Sequence, residues 1–538
     1  MISGHRVRPP GAPVDTGRGK GGPGCRVQEQ VLRNRVHPRL LAALPLVLLG
    51  VAVACGATKA TPAGFTADGG ASSPDGAIAA HDGASYADGN LLGSGDSAAT
   101  GCVNLQCAAA DCAAQGKPET SLTGTIRDPA GKLPLYNVYV YVPNATPEAI
   151  TPGSPTCTPC EAPASGSPIL VTSTATTGKF NLQKGPTDTY GVPAGKNIPL
   201  VLQVGKWRRQ LVIPEVDACT TVDLDSVLGP DQMRLPKESS EGDMPLIALT
   251  TAGYDAFECF LRGVGVDDSE FVAPGSKTGH VHIYTGAIDD PGTPAAAITG
   301  GNTVENTFTW WNTSTNLLQY DFVLNGCDGV PAGSRGTGYT AVGQYLDAGG
   351  RVFGTDFFVD WFSPPDAPAL DKTVASWPGW DNAAQYDNYF IDQTFPKGQA
   401  FGQWLLENNV AQQAGTAIQI PLTDTWADVN GSGPPTYPDS TRWIYNAESA
   451  GDAATSTSYL SFNTPIGTPA AQQCGRAVFS GVHVYLPDPA STFPTECATE
   501  GGQASAYAIN QQALEFLFFD LSSCVQDDTQ PPKPPPAQ

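Results

Sequence analysis

The stretch TAVGQYLDAGGRVFGTDFFVDWF (residues 340–362) holds a helical run, a stop at Gly349-Gly350, and an apolar strand ending at Gly354-Thr355. A helix closed by glycine and followed at once by a strand is half of a βαβ unit. Its neighbours repeat the alternation. LLQYDFVLNGCDG (317–329) is a buried-looking strand and HVHIYTG (280–286) a short one. MPLIALTT (244–251) is an apolar run that leads into the helical YDAFECFLRGVGV (254–266). Far downstream, CGRAVFSGVHVY (474–485) supplies another strand and QQALEFLFFDLSS (511–523) an apolar helix. Strands alternating with helices need crossover connections, so residues 241–526 are expected to build a parallel sheet covered on both faces. Residues 362–470, with Trp377, Trp380, Trp404, Trp426 and Trp443 among many Pro, Asp and Asn, read as an irregular insertion over that sheet.

Upstream, residues 120–240 change period. SLTGTIRD (121–128) and YNVYVYVPN (136–144) alternate apolar and polar residues around the turn DPAGKLPL (128–135). ILVTSTATTGKFNL (169–182), IPLVLQVGKWRRQLVIP (198–214) and TVDLD (221–225) continue in short strands punctuated by Gly and Pro. This spacing predicts a small all-β sandwich. Within it, Lys206, Trp207, Arg208 and Arg209 form an exposed-looking basic-aromatic cluster, a candidate saccharide or anion site. In/out alternation on a strand edge explains the same four residues.

Two resemblances follow. Gly124, Asp128, Gly131, Pro134, Val138, Gly178, Phe180, Pro193 and Gly195 stand close to the pattern of the carboxypeptidase regulatory-like (transthyretin-like) domain. That resemblance implies an accessory or carbohydrate-binding-like module and no chemistry. The order of elements in 241–526 resembles the class I glutamine-amidotransferase-like fold, in particular its ThuA-like branch. It implies a flavodoxin-like α/β domain with an elbow after the helix and strand YLDAGGRVFG (345–354). The expected fold class is therefore multidomain: a transthyretin-like sandwich, then an α/β amidotransferase-like domain, preceded by a disordered tether. The plan as a whole looks like a bacterial lipoprotein family of unknown function.

The N-terminus carries the address. Leu40 to Ala54 is a fifteen-residue uncharged run after Arg33, Arg35 and Arg39. It is too short to span a hydrocarbon core of about 30 Å and fits the apolar region of a signal segment. Residues 1–30, rich in Gly, Pro and Arg, read as lying upstream of a start near Val31. The closing AVAC (52–55) resembles the lipobox of bacterial lipoproteins, which implies Cys55 as the lipid-modified first residue. Gly56 after it favours the outer membrane or cell surface. An ordinary signal peptide cut near Ala54 is the alternative. Residues 55–100 are small and polar and cannot bury enough apolar surface to fold, so they read as a tether. A Cys-rich segment (101–119) follows, and a Pro-rich tail (527–538) closes the chain.

Charge narrows the partners. The chain has 29 Lys+Arg and 52 Asp+Glu, net −23; without residues 1–54 the balance is 21 against 50, net −29. Such a surface repels phosphate, which argues against a nucleic-acid partner. A membrane reached through the lipid anchor, a glycan and an envelope protein remain.

Of thirteen cysteines, Cys25 and Cys55 fall outside the exported fold, leaving eleven. An oxidising compartment makes disulfides the default, and an odd count leaves one thiol over. The spacing of Cys157 and Cys160 suggests a local disulfide, with zinc or redox chemistry as alternatives. Cys259, inside the apolar AFECFL (256–261), is the expected buried thiol.

Chemistry is sought at the elbow. Glutamine hydrolysis needs a Cys nucleophile there and a His base positioned by an acid. The elbow reads Gly354-Thr355-Asp356-Phe357, with neither Cys nor Ser, so amidotransferase activity is not expected. Cys327 follows a different strand, as a disulfide or a buried thiol, and could reach the crevice at the strands' carboxyl ends. His282, Asp356 and His483 are the candidate acid/base or metal-binding trio, with Asp360 nearby. Asp428, Asn430, Ser432 and Asp439 match ligand positions of a calcium loop, although Pro434-Pro435 interrupts it and an Asx/Gly turn explains it equally. No cofactor is expected. The missing elbow nucleophile and the absence of a histidine motif favour a non-catalytic surface protein binding carbohydrate or envelope partners; a hydrolase of sugars or peptides and a structural envelope protein are the alternatives.

Overall fold

The fold is that of a computed structural model. It describes residues 101–537 apart from 158–161, 163, 252–254, 286–296, 299–301, 304–309, 328–337, 363–372, 378–387, 424–427, 485–490, 492 and 498–507. The signal segment, Cys55 and the tether lie outside the described residues, as do Cys160, Trp380 and Trp426. Among the described residues, no helix is long and apolar enough to cross a membrane.

Seven strands build the first part: β1 (Ser121–Thr125), β2 (Tyr139–Pro143), β3 (Pro168–Ser173), β4 (Lys179–Gln183), β5 (Gly195–Val204), β6 (Trp207–Val216) and β7 (Thr221–Asp223). They form a sheet of order β4-β1-β7 and another of order β3-β2-β5-β6. Leu122, Phe180 and Leu182 from the first share a core with Val140, Leu200 and Leu202 from the second. The turn before β2 has a local cause. Asp128 accepts from the Lys132 N–H at 2.6 Å and its carbonyl from the Gly131 N–H at 2.9 Å, with Gly131 at φ +70°. A left-handed position of this kind suits glycine, which has no Cβ to clash.

The second part is one eleven-stranded sheet. Its parallel half uses β8 (Ile247–Thr251), β9 (Phe271–Val272), β10 (Val281–Thr285), β13 (Phe322–Asn325), β14 (Arg351–Thr355) and β22 (Gly475–Ser480) in the order β9-β10-β8-β13-β14-β22. Two small pairs lie outside it: β11 (Ala297–Ile298) with β12 (Asn302–Thr303), and β15 (Ala375–Ser376) with β19 (Gly431–Ser432). Its longer described helices are α1 (Phe257–Val264), α2 (Gly338–Asp347), α3 (Pro396–Glu407) and α4 (Ala508–Ser522). Residues alternate between the two faces, as strand geometry requires. Ile247, Leu249, Phe322, Leu324 and Phe353 join the core under α1, α4 and the sandwich. Ala248, Val323, Val352 and Ala477 join the other, with Trp311, Trp361 and α2. The β and α/β content expected from sequence is present.

Residues 362–470 depart from the expectation. They extend the same sheet with five antiparallel strands, through β16 (Tyr389–Ile391), β17 (Gln412–Ala414), β18 (Ala417–Ile420), β20 (Ser440–Asn446) and β21 (Ser456–Thr464), in the order β17-β18-β16-β20-β21-β22. β20 (STRWIYN) and β21 (STSYLSFNT) bury hydroxyls in place of alternating aliphatics, so the period-two signal is absent from their sequence.

The two parts share a core. Trp207 packs edge-on against Phe518 and Phe519 at 6.4 and 6.1 Å, Tyr136 stacks on Phe516 at 5.7 Å, and Trp404 Nε1 donates to the Pro134 carbonyl at 2.7 Å. Trp207, Arg208 and Arg209 are therefore buried and do not form an exposed basic-aromatic cluster. Arg208 pairs with Asp243 at 2.8 Å and Arg209 with Glu241 at 3.5 Å.

Disulfides join Cys102–Cys107, Cys112–Cys219, Cys157–Cys474 and Cys259–Cys497, and Cys524 is also disulfide-bonded. Cys157 thus bonds across 317 residues instead of locally. Cys259 is not the thiol; Cys327 is. An apolar surrounding marks a buried cysteine equally well whether it is a thiol or half of a disulfide, so composition alone had no means of separating the two.

Candidate functional site

Four adjacent parallel strands, β8, β13, β14 and β22, release the chain on the same edge of the sheet. Asp255 lies four residues beyond β8, Cys327 two beyond β13, Asp356 directly after β14 and His483 three beyond β22. Ligands of open α/β sheets bind along this edge, where the chain turns to opposite sides. Here β10 lies on one side of β8 and β13 on the other.

The sharpest turn is at Asp356. It opens a single 3-10 turn (Asp356–Phe358) and has φ +43°, which a non-glycine residue adopts only when its surroundings hold it there. The preceding Gly354 makes the turn possible: a Cβ there would collide with the Phe358 ring.

The four side chains meet. His483 Nε2 lies 3.6 Å from Asp356 Oδ2, and His483 Nδ1 lies 3.3 Å from Asp255 Oδ2. The Cys327 thiol donates to Asp356 Oδ2 at 2.9 Å. Asp255 is the hub. It accepts from the Val484 N–H at 2.7 Å, the Cys327 N–H at 3.3 Å and the Thr355 hydroxyl. A carboxylate at Nδ1 places the imidazole proton on that nitrogen and turns the Nε2 lone pair toward Asp356. Asp255, Cys327, Asp356 and His483 are each no more than 2 % exposed.

His282 is not joined to this group. It sits within β10, three strands from β14, about 14 Å at the usual strand spacing. Its Nδ1 meets the Tyr320 hydroxyl at 2.8 Å, and that hydroxyl lies 2.9 Å from the Tyr284 hydroxyl. Burial holds its pKa down at about 4, so the ring is neutral near pH 7. The Asp360 side chain lies outside the described residues. Asp428 does not open a loop of converging oxygens: its Oδ2 accepts from Ser456 at 2.9 Å and Tyr389 at 3.2 Å. Gly431-Ser432 is a strand paired with β15, and Asp439 is half-buried beyond it. Burial raises the Asp428 carboxyl to about 6.

Asp255 is the residue that sequence reasoning missed. It sits inside a run read only as helix, YDAFECFL (254–261). The available signal was a lone carboxylate between an apolar strand and an apolar helix, at the carboxyl end of β8.

No protein-family model matches the chain, and no curated protein matches it. Among solved structures, similarity reaches a protein from Bacteroides uniformis described as ThuA-like (9% identity, 44% of this chain and 81% of that one, TM-score 0.25). The N-terminal domain of mmIFT52 is similar at 9% identity over 51% of this chain and 96% of that one, with TM-score 0.26. The cytoplasmic protein STM3548 from Salmonella typhimurium is similar at 8% identity over 49% and 97%, with TM-score 0.22.

Proposed function

We propose that this chain is an exported, lipid-anchored surface protein whose α/β domain hydrolyses sugars or peptides of the cell envelope. The observation that carries the reading is the buried Asp356–His483–Asp255 series, with Asp356 held at positive φ on the edge where α/β sheets bind ligands. Water is activated between Asp356 and His483, and Asp255 fixes the imidazole tautomer. The seven-stranded module, read as transthyretin-like, is an accessory domain. The amidotransferase-like plan supplies the frame without its Cys nucleophile. The nine described cysteines that are disulfide-bonded fit export to an oxidising compartment, where Cys55 would carry the lipid.

The test is turnover of a panel of aryl esters, aryl glycosides and short peptides by the full exported chain. Wild type is expected to hydrolyse at least one class, with Asp356→Asn and His483→Ala each lowering kcat by roughly 100-fold or more. Turnover that neither substitution changes would overturn the reading. The full burial of the four side chains favours a second reading, a non-catalytic protein that binds glycan or envelope partners. Saccharide binding with no hydrolysis of any substrate selects it.

A further inference from the structure

We infer that Cys327, Asp356 and His483 form a site for a divalent transition-metal ion of the zinc class. The inference deepens the hydrolase reading of the same residues: the ion takes the Nε2 lone pair and replaces the imidazole as the group that polarises water. A thiol sulfur, a carboxylate oxygen and an imidazole nitrogen all lie within 4.8 Å of one another. These are the ligand types zinc prefers, and three protein ligands with a fourth position left for water describe a catalytic zinc site.

The spacing fits. A tetrahedral ion with bonds of about 2.0–2.3 Å holds its ligands roughly 3.3–3.8 Å apart. His483 Nε2 and Asp356 Oδ2 stand 3.6 Å apart. The Cys327–Asp356 separation of 2.9 Å is that of a shared proton, and exchanging the proton for an ion opens it by less than ~1 Å.

The surroundings fit as well. A metal-bound histidine almost always gives its other ring N–H to a carboxylate or carbonyl, which orients it. Asp255 does this for His483, receives the backbone N–H of Cys327, and bonds Thr355 beside Asp356. One carboxylate thus steadies all three ligand positions. The persistence of a thiol beside the nine described cysteines that are disulfide-bonded acquires a reason, since a thiolate ligand must stay unoxidised. The other cluster of this composition, Cys259, Glu496 and Cys497, has both sulfurs tied in a disulfide and offers no thiolate.

The full exported chain, stripped with chelator, is titrated with Co2+ and then Zn2+. The expected result is stoichiometric Co2+ with a thiolate-to-cobalt charge-transfer band that Zn2+ displaces. Cys327→Ser, folded by circular dichroism, loses the band, and Asp255→Asn weakens binding by about 10–100-fold. No stoichiometric metal in wild type, or an undiminished band in Cys327→Ser, overturns the inference. Hydrolysis that survives chelation but is lost in His483→Ala overturns the metal and leaves the hydrolase reading standing. A metal-loaded chain that hydrolyses nothing overturns the hydrolase reading and leaves the metal.

Discussion

The Asp255 carboxylate stands 3.3 Å from Nδ1 of His483, across 228 residues of sequence. The contact forms because β8 and β22 are parallel strands of one sheet, with β13 and β14 between them. Residues that follow such strands share an edge whatever their separation along the chain.

The disulfide between Cys157 and Cys474 closes the longest loop among the described pairs. Replacing both by serine is expected to cost about 2–5 kcal/mol, read as a lower denaturation midpoint. Non-reducing peptide mapping should recover Cys112–Cys219, Cys157–Cys474 and Cys259–Cys497, with Cys327 alkylated only after denaturation. Alkylation of Cys259 in the unreduced chain would contradict the pairing.

Trp207 is fully buried against α4. Trp207→Ala should destabilise the chain by about 3–5 kcal/mol through the cavity it leaves. A saccharide-contact role predicts instead an unchanged melting temperature and weaker glycan binding.

Glu258 and Glu496 form a buried hydrogen-bonded pair. Burial raises Glu258 to about 7; burial and the Glu258 charge raise Glu496 to about 9. Both folded values lie above the ordinary 4.5. Their stabilisation is therefore complete below pH 4.5 and is lost as pH rises through about 7 and then 9. The melting temperature should fall on the alkaline side, and Glu496→Gln should flatten that fall. A slope identical in the variant would rule the pair out as its source.

Asp528 lies in the segment read from sequence as a Pro-rich tail, yet it is buried. It meets Arg476 at 3.1 Å and Lys397 at 3.2 Å, and Asp520 pairs with the same two cations at 3.0 and 2.8 Å. These cations hold its carboxyl well below the ordinary range. Asp528→Ala leaves two buried positive charges facing a single carboxylate and should cost about 3–5 kcal/mol by denaturant titration. Ending the chain at Gln526 should cost at least as much.

Hydrophobic period carried much of the fold in the sequence. The alternation of apolar strands with helices between 244 and 362, the Gly349-Gly350 stop and the last apolar helix all appear where their patterns put them. These signals are local, because a strand or an amphipathic helix is written in the spacing of its own residues. Asp356 was legible for the same reason, as the residue that ends an apolar strand. The antiparallel half of the sheet was not, since strands with buried hydroxyls lack the apolar alternation on which the reading depends. Disulfide partners, the burial of Trp207 under α4 and the place of Asp528 were also out of reach, each being set by a surface that another element supplies. The site divides in the same way. Sequence grouped Asp356 and His483 with His282 and named Cys327 apart from them. Only the order of strands in the sheet put Asp255 and Cys327 beside them and left His282 three strands away, because proximity across a sheet depends on pairing between strands far apart in sequence.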